Sequence, residues 1–430
     1  MILITLFITI LCMINARIKF KNWHNPYFVF NALWFCVTGL IIIGNYYIYE
    51  PSPVAIKCVF IGVIGYNLSI LMPTFVIGKK TNNISEKNEF TLNTKVVIAL
   101  SFFVLLFSII NAASSIKSFM DGNSFSEIRE NYYTYASSGS IIMYYFGSYL
   151  LSPMRYVVIL SAIISIFKKK KESKILLSNM VIIVILQSLT SGGRYVLMNT
   201  VFMFICGFFL FKSDRKMPFK RKLLFIGLVI IFSYFIIFLT NERATYRSMG
   251  MTTFQRAYLT IYEYFVGSVT YLGKVLEKYP FLPGSTYGLN FAAGFITPIF
   301  AMATFLNILS YPAKFNIIGI YACDVLKIGI YTFYNAMPTA FGYFYIDGGL
   351  IFTLLESLLF GYICKKIYLR ALGGNLLFAA IYILLFVQIC NMSTRWFFYS
   401  SDYCLAFLYI RFFMRKFTKE NKTLDCNNIR

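Results

Sequence analysis

The sequence predicts an all-α fold: a polytopic transmembrane helix bundle of about eleven spans, extendable to thirteen, carrying a large extracytoplasmic loop. Three observations point there. Of the 430 residues, 58% are hydrophobic and only 13% charged, against roughly 25% charged in a soluble domain, and mean hydropathy is +0.68. Apolar runs long enough to cross about 30 Å of hydrocarbon recur along the chain. Basic clusters fall on alternate connections between those runs, which is how a membrane protein encodes its orientation.

In order, the runs are 2–16, 27–49, 53–77, 95–116, 141–167, 175–190, 194–211, 223–240, 341–364, 375–391 and 396–413. The first is followed, rather than preceded, by Arg17, Lys19 and Lys21, so it reads as a retained helix with an outward N-terminus instead of a cleaved signal. The remaining basic clusters are Lys79/Lys80/Lys87/Lys95, "KKKKESK" (168–174), "KSDRKMPFKRK" (212–222), Lys365/Lys366/Arg370 and the tail from Arg411. All of them then face the cytoplasm, as does the C-terminus. The formal charge of +23 is therefore an inner-surface charge beside anionic lipid, and nucleic acid is excluded as a partner.

The outward connections include two long ones, 117–140 and 241–340, within what reads as one domain over 1–430. The stretch "TFQRAYLTIYEYFVGSVTYLGKVLEKY" has the apolar spacing of an amphipathic surface helix. The run 289–309 is apolar enough to be re-entrant or spanning; two extra crossings would leave the ends oriented as before.

This topology puts "SGGR" (191–194) on the outer face, with Arg194 at the N-terminal end of an inward-running helix. Unpaired N–H groups, the positive end of the helix dipole, and the backbone of Gly192 and Gly193 all favour an anion there. A guanidinium matches a diphosphate with a two-pronged donor fork. The plain alternative is a hairpin turn whose arginine snorkels to lipid headgroups. Arg243 and Arg247, four residues apart in "TNERATYRSMG", share one face of a helix; Arg256 follows, and Arg395 lies in "NMSTRWFF" at another outward turn. Each alone is explained by ion pairing with Glu242, Glu263 or Asp402. Their recurrence at outward helix ends favours anion binding.

Asp347, Glu263 and Asp324 are the outward carboxylates available as a general base, although Asp347 before Gly348 and Gly349 equally suits a helix cap. Glu356 lies deeper in the same span; an intramembrane carboxylate is also what a proton-coupled transporter carries. Outward tyrosines, among them Tyr331 and Tyr345, suit sugars and equally form an interfacial belt. The nine cysteines form no CxxC pair, His24 is the only histidine, and no nucleotide or metal-ligand motif occurs. No cofactor or metal is expected.

The stretch "GIYTFYNAMPTAFGYFYIDGGLIFTLLESLLFGYI", with "YTF" at Tyr331–Phe333 and "FYIDGG" at Phe344–Gly349, together with "SGGR" and a large outer loop opening on arginines, resembles the Wzy-type polymerases of O-antigen and capsular repeat units. The resemblance implies a metal-independent, GT-C-like membrane glycosyltransferase of the bacterial plasma (inner) membrane. It implies undecaprenyl-diphosphate-linked oligosaccharides as substrates, membrane lipids around the chain, and a chain-length regulator and a flippase as partners. Arg194, Arg243, Arg247 and Asp347 are then the catalytic candidates. Gly192, Gly193, Arg256, Glu263, Tyr331, Tyr345 and Arg395 are the substrate-binding ones. The alternatives are a lipid-linked oligosaccharide flippase or another secondary transporter. An O-antigen ligase or a surface-glycan acyltransferase fits less well, because no outward histidine is present.

Overall fold

The structure is a computed structural model. It describes residues 1–73, 90–123, 141–211, 252–334 and 338–416, apart from 46, 169, 170, 192, 194, 311, 313, 315, 316, 331 and the side chains of a few others, together with the single positions 127, 223, 227 and 230. The described chain is mostly helical. It contains six helices long and apolar enough to cross a membrane and four shorter apolar ones. It divides into two compact units: Met1–Leu71, Phe235–Lys365 and Leu385–Leu405 form one, and Met72–Tyr234, Lys366–Leu384 and Ala406–Arg430 the other.

The first unit opens with α1 (Ile2–Phe20) and α2 (Pro26–Ile43), packed on each other. Lys21 takes a left-handed φ of 57° to end α1. Asn25 then caps α2 by accepting the Phe28 N–H, with Pro26 at the first helical position. Ser52 and Pro53 repeat this device for α3 (Pro53–Leu68). Lipid supplies no hydrophobic drive between helices, so small residues and interhelical hydrogen bonds must hold them. Asn31 on α2 and Asn67 on α3 exchange reciprocal amide bonds of 2.8 and 2.9 Å. Gly65 and Gly361 let α3 approach the long helix α13 described below: a Cβ at Gly65 would stand 2.5 Å from the Leu354 carbonyl, and one at Gly361 2.7 Å from that of Tyr66.

The amphipathic stretch forms two helices, not one: α9 (Thr253–Phe265) and α10 (Gly267–Lys278), divided at Val266. A capping box between Thr252 and Gln255 starts α9. Tyr258 donates to the Gly44 carbonyl (2.8 Å) and Thr270 to that of Tyr49 (3.1 Å), fastening both helices to the end of α2 and the segment after it. Beyond them come α11 (Leu289–Phe305), α12 (Ile317–Tyr321) and a two-residue antiparallel ladder of β2 (Leu326–Lys327) with β3 (Phe333–Tyr334).

The second unit holds β1 (Phe90–Leu92), α4 (Thr94–Met120), α5 (Ile141–Tyr145), α6 (Ser152–Phe167), α7 (Ser173–Ser191) and α8 (Tyr195–Phe211). A π-turn, Phe146–Leu151, joins α5 to α6. Pro153 has no N–H to give the carbonyl four residues back, that of Tyr149. The Tyr409 hydroxyl donates to it instead, at 2.7 Å. Asn179 on α7 donates to Ser101 on α4 (2.9 Å). After α13 (Ala340–Leu372) and α14 (Leu376–Cys390), α15 (Ser401–Phe412) leads into β4 (Met414–Lys416), which pairs antiparallel with β1.

Three expected boundaries move. In the described part of the run 53–77 the helix ends at Leu68, and the N–H groups of Ser69, Ile70 and Leu71 each bond the carbonyl three residues back. The run 396–413 starts as a single 3-10 turn, Phe397–Tyr399, before α15. The run 341–364 extends to Leu372, because nothing at Lys365 stops the helix. The run 223–240 lies almost wholly outside the described residues.

Candidate functional site

A polar buried cluster in the first unit is built around Asp347. Thr339 begins α13 by accepting the Gly342 N–H (3.3 Å). The helix runs regularly to Asp347 and then breaks. Gly348 is extended (φ −170°) and Gly349 takes φ +66°, a conformation that strains any residue with a Cβ. The carbonyls of Ile346 and Asp347, at the break, accept the N–H groups of Gly284 (2.9 Å) and Tyr287 (3.0 Å). The loop after α10 is thereby tied to the broken helix.

The Asp347 side chain completes the tie. It is fully buried and sits on the N-terminus of α11, accepting the backbone N–H groups of Asn290 and Phe291 at 3.0 Å each. The Thr286 hydroxyl donates to the same carboxylate at 2.5 Å and itself accepts the Asn290 amide at 2.8 Å. A carboxylate on orphan N–H groups at the positive end of a helix dipole is a stabilising arrangement. Asp347 does serve a helix end, but that of α11 rather than of its own helix. Trp396 seals the same turn: its indole N–H donates to the Phe291 carbonyl (3.0 Å) while its ring stacks on Phe291.

Glu356 adds a second carboxyl. It is 7% exposed, lies within hydrogen-bond reach of Asp347, and stands 3.7 Å from where a Cβ on Gly288 would be. No donor among the described residues reaches its Oε2. Two carboxyls beside a helix break make this cluster a candidate site.

The other expected residues are placed as follows. Glu263 is half-buried on α9, beside the Tyr334 ring, whose hydroxyl bonds Ser268 at 2.7 Å. Burial pushes the Tyr334 hydroxyl up, opposed by Ser268 and reinforced by Glu263. Glu263 lies by the β-ladder, and Asp347 on the N-terminus of α11. Asp324 is ion-paired with Lys278 at 2.8 Å. Arg395 is half-buried, its guanidinium 4.7 Å from the Phe397 ring centroid, and Gln388 braces this turn by accepting the Phe397 N–H (2.7 Å). Tyr345 is half-buried on α13. Gly193, in the other unit, donates its N–H to the Ser188 carbonyl (3.1 Å) and the Ser191 hydroxyl (3.2 Å), closing α7. Arg256 lies on α9, with its side chain outside the described residues. Arg194, Arg243, Arg247, Gly192 and Tyr331 also lie outside them.

Thr286 and Asn290 are missing from the residue-type reading of the sequence. The signal for them is faint: a hydroxyl and an amide four apart, on either side of the start of α11 at Leu289. Among the described residues no three His, Cys, Asp or Glu side chains group to hold a metal ion. Compared with known proteins, the chain matches no family model, no curated protein and no solved structure.

Proposed function

We propose that this chain is a GT-C-like membrane glycosyltransferase that polymerises undecaprenyl-diphosphate-linked oligosaccharide repeat units into O-antigen or capsular polysaccharide at the outer face of the bacterial plasma membrane. The reading keeps eleven spans, an outward N-terminus and a cytoplasmic C-terminus. One observation supports it most. The segment whose sequence resembles such polymerases, Phe344–Gly349, is the segment where the chain fastens the loop after α10 and the start of α11 onto a membrane-length helix, through Asp347. A polymerase needs its outer segments held rigidly against its spans, because positioning supplies much of the rate.

In this mechanism an acceptor hydroxyl oxygen attacks the anomeric carbon of the growing glycan. The carbon–oxygen bond to the diphosphate breaks, and undecaprenyl diphosphate leaves with the electron pair. Arg194, Arg243 and Arg247 neutralise the developing charge on the diphosphate through bidentate hydrogen bonds. The hydroxyl proton passes to an outward carboxylate, for which half-buried Glu263 is the candidate, Asp324 being held in its ion pair with Lys278. Asp347, fully enclosed by its donors, acts as a positioning residue. Arg256, Tyr331, Tyr345 and Arg395 flank the glycan.

A second reading, a lipid-linked oligosaccharide flippase or proton-coupled transporter, is favoured by the Asp347 and Glu356 carboxyls beside the α13 break, since broken helices and buried carboxyls also build transport sites. Deletion of the gene in its host separates the two. Surface glycan reduced to single repeats is the expected result; loss of all exported repeats would establish the transporter instead.

A further inference from the structure

The loop that leads from α10 to the Asp347 seat carries an exposed aromatic surface with no part in the mechanism above. Its sequence, "YPFLPG" (279–284), places Phe281 and Leu282 between two prolines, which fix the backbone before anything binds. Leu282 is fully buried and anchors the turn, while Phe281 beside it is 58% exposed. A large ring held at the surface on a stiff, well-anchored loop can stack on a ligand with little ordering cost.

Two further rings define its surroundings. Tyr321 packs edge-on to Phe281 at 5.2 Å between centroids and against Tyr279 at 5.1 Å, and Tyr279 meets Phe281 at 6.0 Å. Next to them Lys278 donates to Asp324 Oδ2 at 2.8 Å, and the Tyr279 hydroxyl donates to the same oxygen. The Tyr271 hydroxyl holds the carboxylate's backbone in place, donating to the carbonyls of Ala322 (3.0 Å) and Asp324 (2.7 Å). Both side-chain bonds converge on Oδ2. Asp324 Oδ1 therefore accepts no hydrogen bond among the described residues, on a side chain that is 34% exposed. Lys278 and Tyr279 hold the Asp324 carboxyl below its ordinary range, so it is a pure acceptor at neutral pH.

An open aromatic face beside an oriented, unfilled carboxylate oxygen is what a sugar ring needs. Its axial C–H groups lie on the ring, and its equatorial hydroxyls donate to the oxygen. The paired Lys278 and Asp324 carry no net charge, and the open oxygen is itself anionic, so a phosphate headgroup or an acidic sugar is disfavoured. We propose that Phe281, Tyr279 and Tyr321, with Asp324 Oδ1, form a binding subsite for a neutral sugar residue of the glycan. Its place in the reaction, as a dock for the growing chain, rests on the glycosyltransferase reading. Through Gly284, whose N–H reaches the Ile346 carbonyl, the subsite is joined to the Asp347 seat three residues away.

The test uses the full-length protein in nanodiscs. Saturation-transfer NMR is run with maltopentaose, cellopentaose and chitopentaose as neutral probes and glycerophosphoglycerol as the headgroup probe. At least one neutral probe binds, Phe281→Ala and Asp324→Asn each weaken it about tenfold, as the loss of one stacked ring or one charged hydrogen bond implies, and Phe281→Trp restores it. Binding of the headgroup probe alone, binding of no neutral probe, or unchanged affinity in both variants overturns the subsite. In cells, Phe281→Ala shortens the surface glycan. Wild-type lengths in that variant, beside loss of polymer in the deletion strain, overturn the subsite and leave the polymerase standing. Unaltered polymer in the deletion strain overturns the polymerase and leaves the sugar-binding result to stand or fall on the NMR.

Discussion

Replacing Asp347 with alanine strands three donors at once: the Thr286 hydroxyl and the N–H groups of Asn290 and Phe291, all around a fully buried side chain. A buried donor left without an acceptor costs about 1–3 kcal/mol, and losing the anion at the α11 N-terminus adds up to about 2 kcal/mol. Local rearrangement lets the freed donors find other acceptors in part, so these costs do not add in full. The net expectation is about 3–5 kcal/mol of lost stability. At roughly 2 °C per kcal/mol for a long chain, Tm falls by about 6–10 °C. Asp347→Asn keeps an acceptor but loses the charge, and costs about 1–2 kcal/mol. Thermal unfolding of the detergent-solubilised protein, followed by tryptophan emission, reads this directly, because Trp396 donates to the Phe291 carbonyl within the same turn. Two measured outcomes refute the reasoning: an Asp347→Ala protein melting within a degree of wild type, or an Asp347→Ala and Thr286→Val pair whose effects simply add.

Glu356→Gln, which can donate an amide N–H to Asp347, keeps wild-type Tm and polymer length, while Glu356→Ala loses about 2 kcal/mol; loss of function in the Gln variant at normal expression would assign the carboxyl a proton-carrying role. Gly361→Val drives a side chain into the α3 backbone and costs at least about 2 kcal/mol, read as reduced Tm and yield. The Lys278 and Asp324 pair sets a pH window. Its carboxyl is held down and its ammonium held up, so its contribution is present between their ordinary values. It is lost as pH falls through the lowered Asp324 value or rises through the raised Lys278 value. The Tm difference between wild type and Asp324→Asn is therefore flat from about pH 5 to 9 and closes only as pH falls past the ordinary carboxylate value of about 3.9; a difference that already closes at pH 6 contradicts the assignment. Arg194→Lys, which keeps charge and loses the two-pronged fork, cuts polymer formation about tenfold or more with normal expression.

The helical layout was largely legible, because lipid exposure forces long uninterrupted apolar runs: α1, α2, α4, α7 and α13 all lie where such runs fall. Ends were legible where a cap is written locally, as at Asn25–Pro26 and Ser52–Pro53. The division of the amphipathic stretch at Val266 was not, since the apolar spacing continues through it and tertiary contacts to α2 decide the bend. The candidate site was half legible. "IDGG" announces a cap, while the backbone break at Gly348 and Gly349 emerges only in the fold. Only the fold determines that Asp347 serves α11, a helix more than forty residues earlier in the chain, and that Thr286 and Asn290 complete the cluster. Asp324 illustrates the same limit: as a lone loop carboxylate it resembles a base, and its ion pair with Lys278 depends on a contact across 46 positions.

The central claim, that this chain joins lipid-linked repeats, is met most directly by reconstitution. The purified protein is placed in liposomes with undecaprenyl-diphosphate-linked repeat units from its host, in the presence of a metal chelator. The account predicts a ladder of two, three and more repeats, with one undecaprenyl diphosphate released at each joining. Single repeats that remain unjoined, or that merely change leaflet, would contradict it.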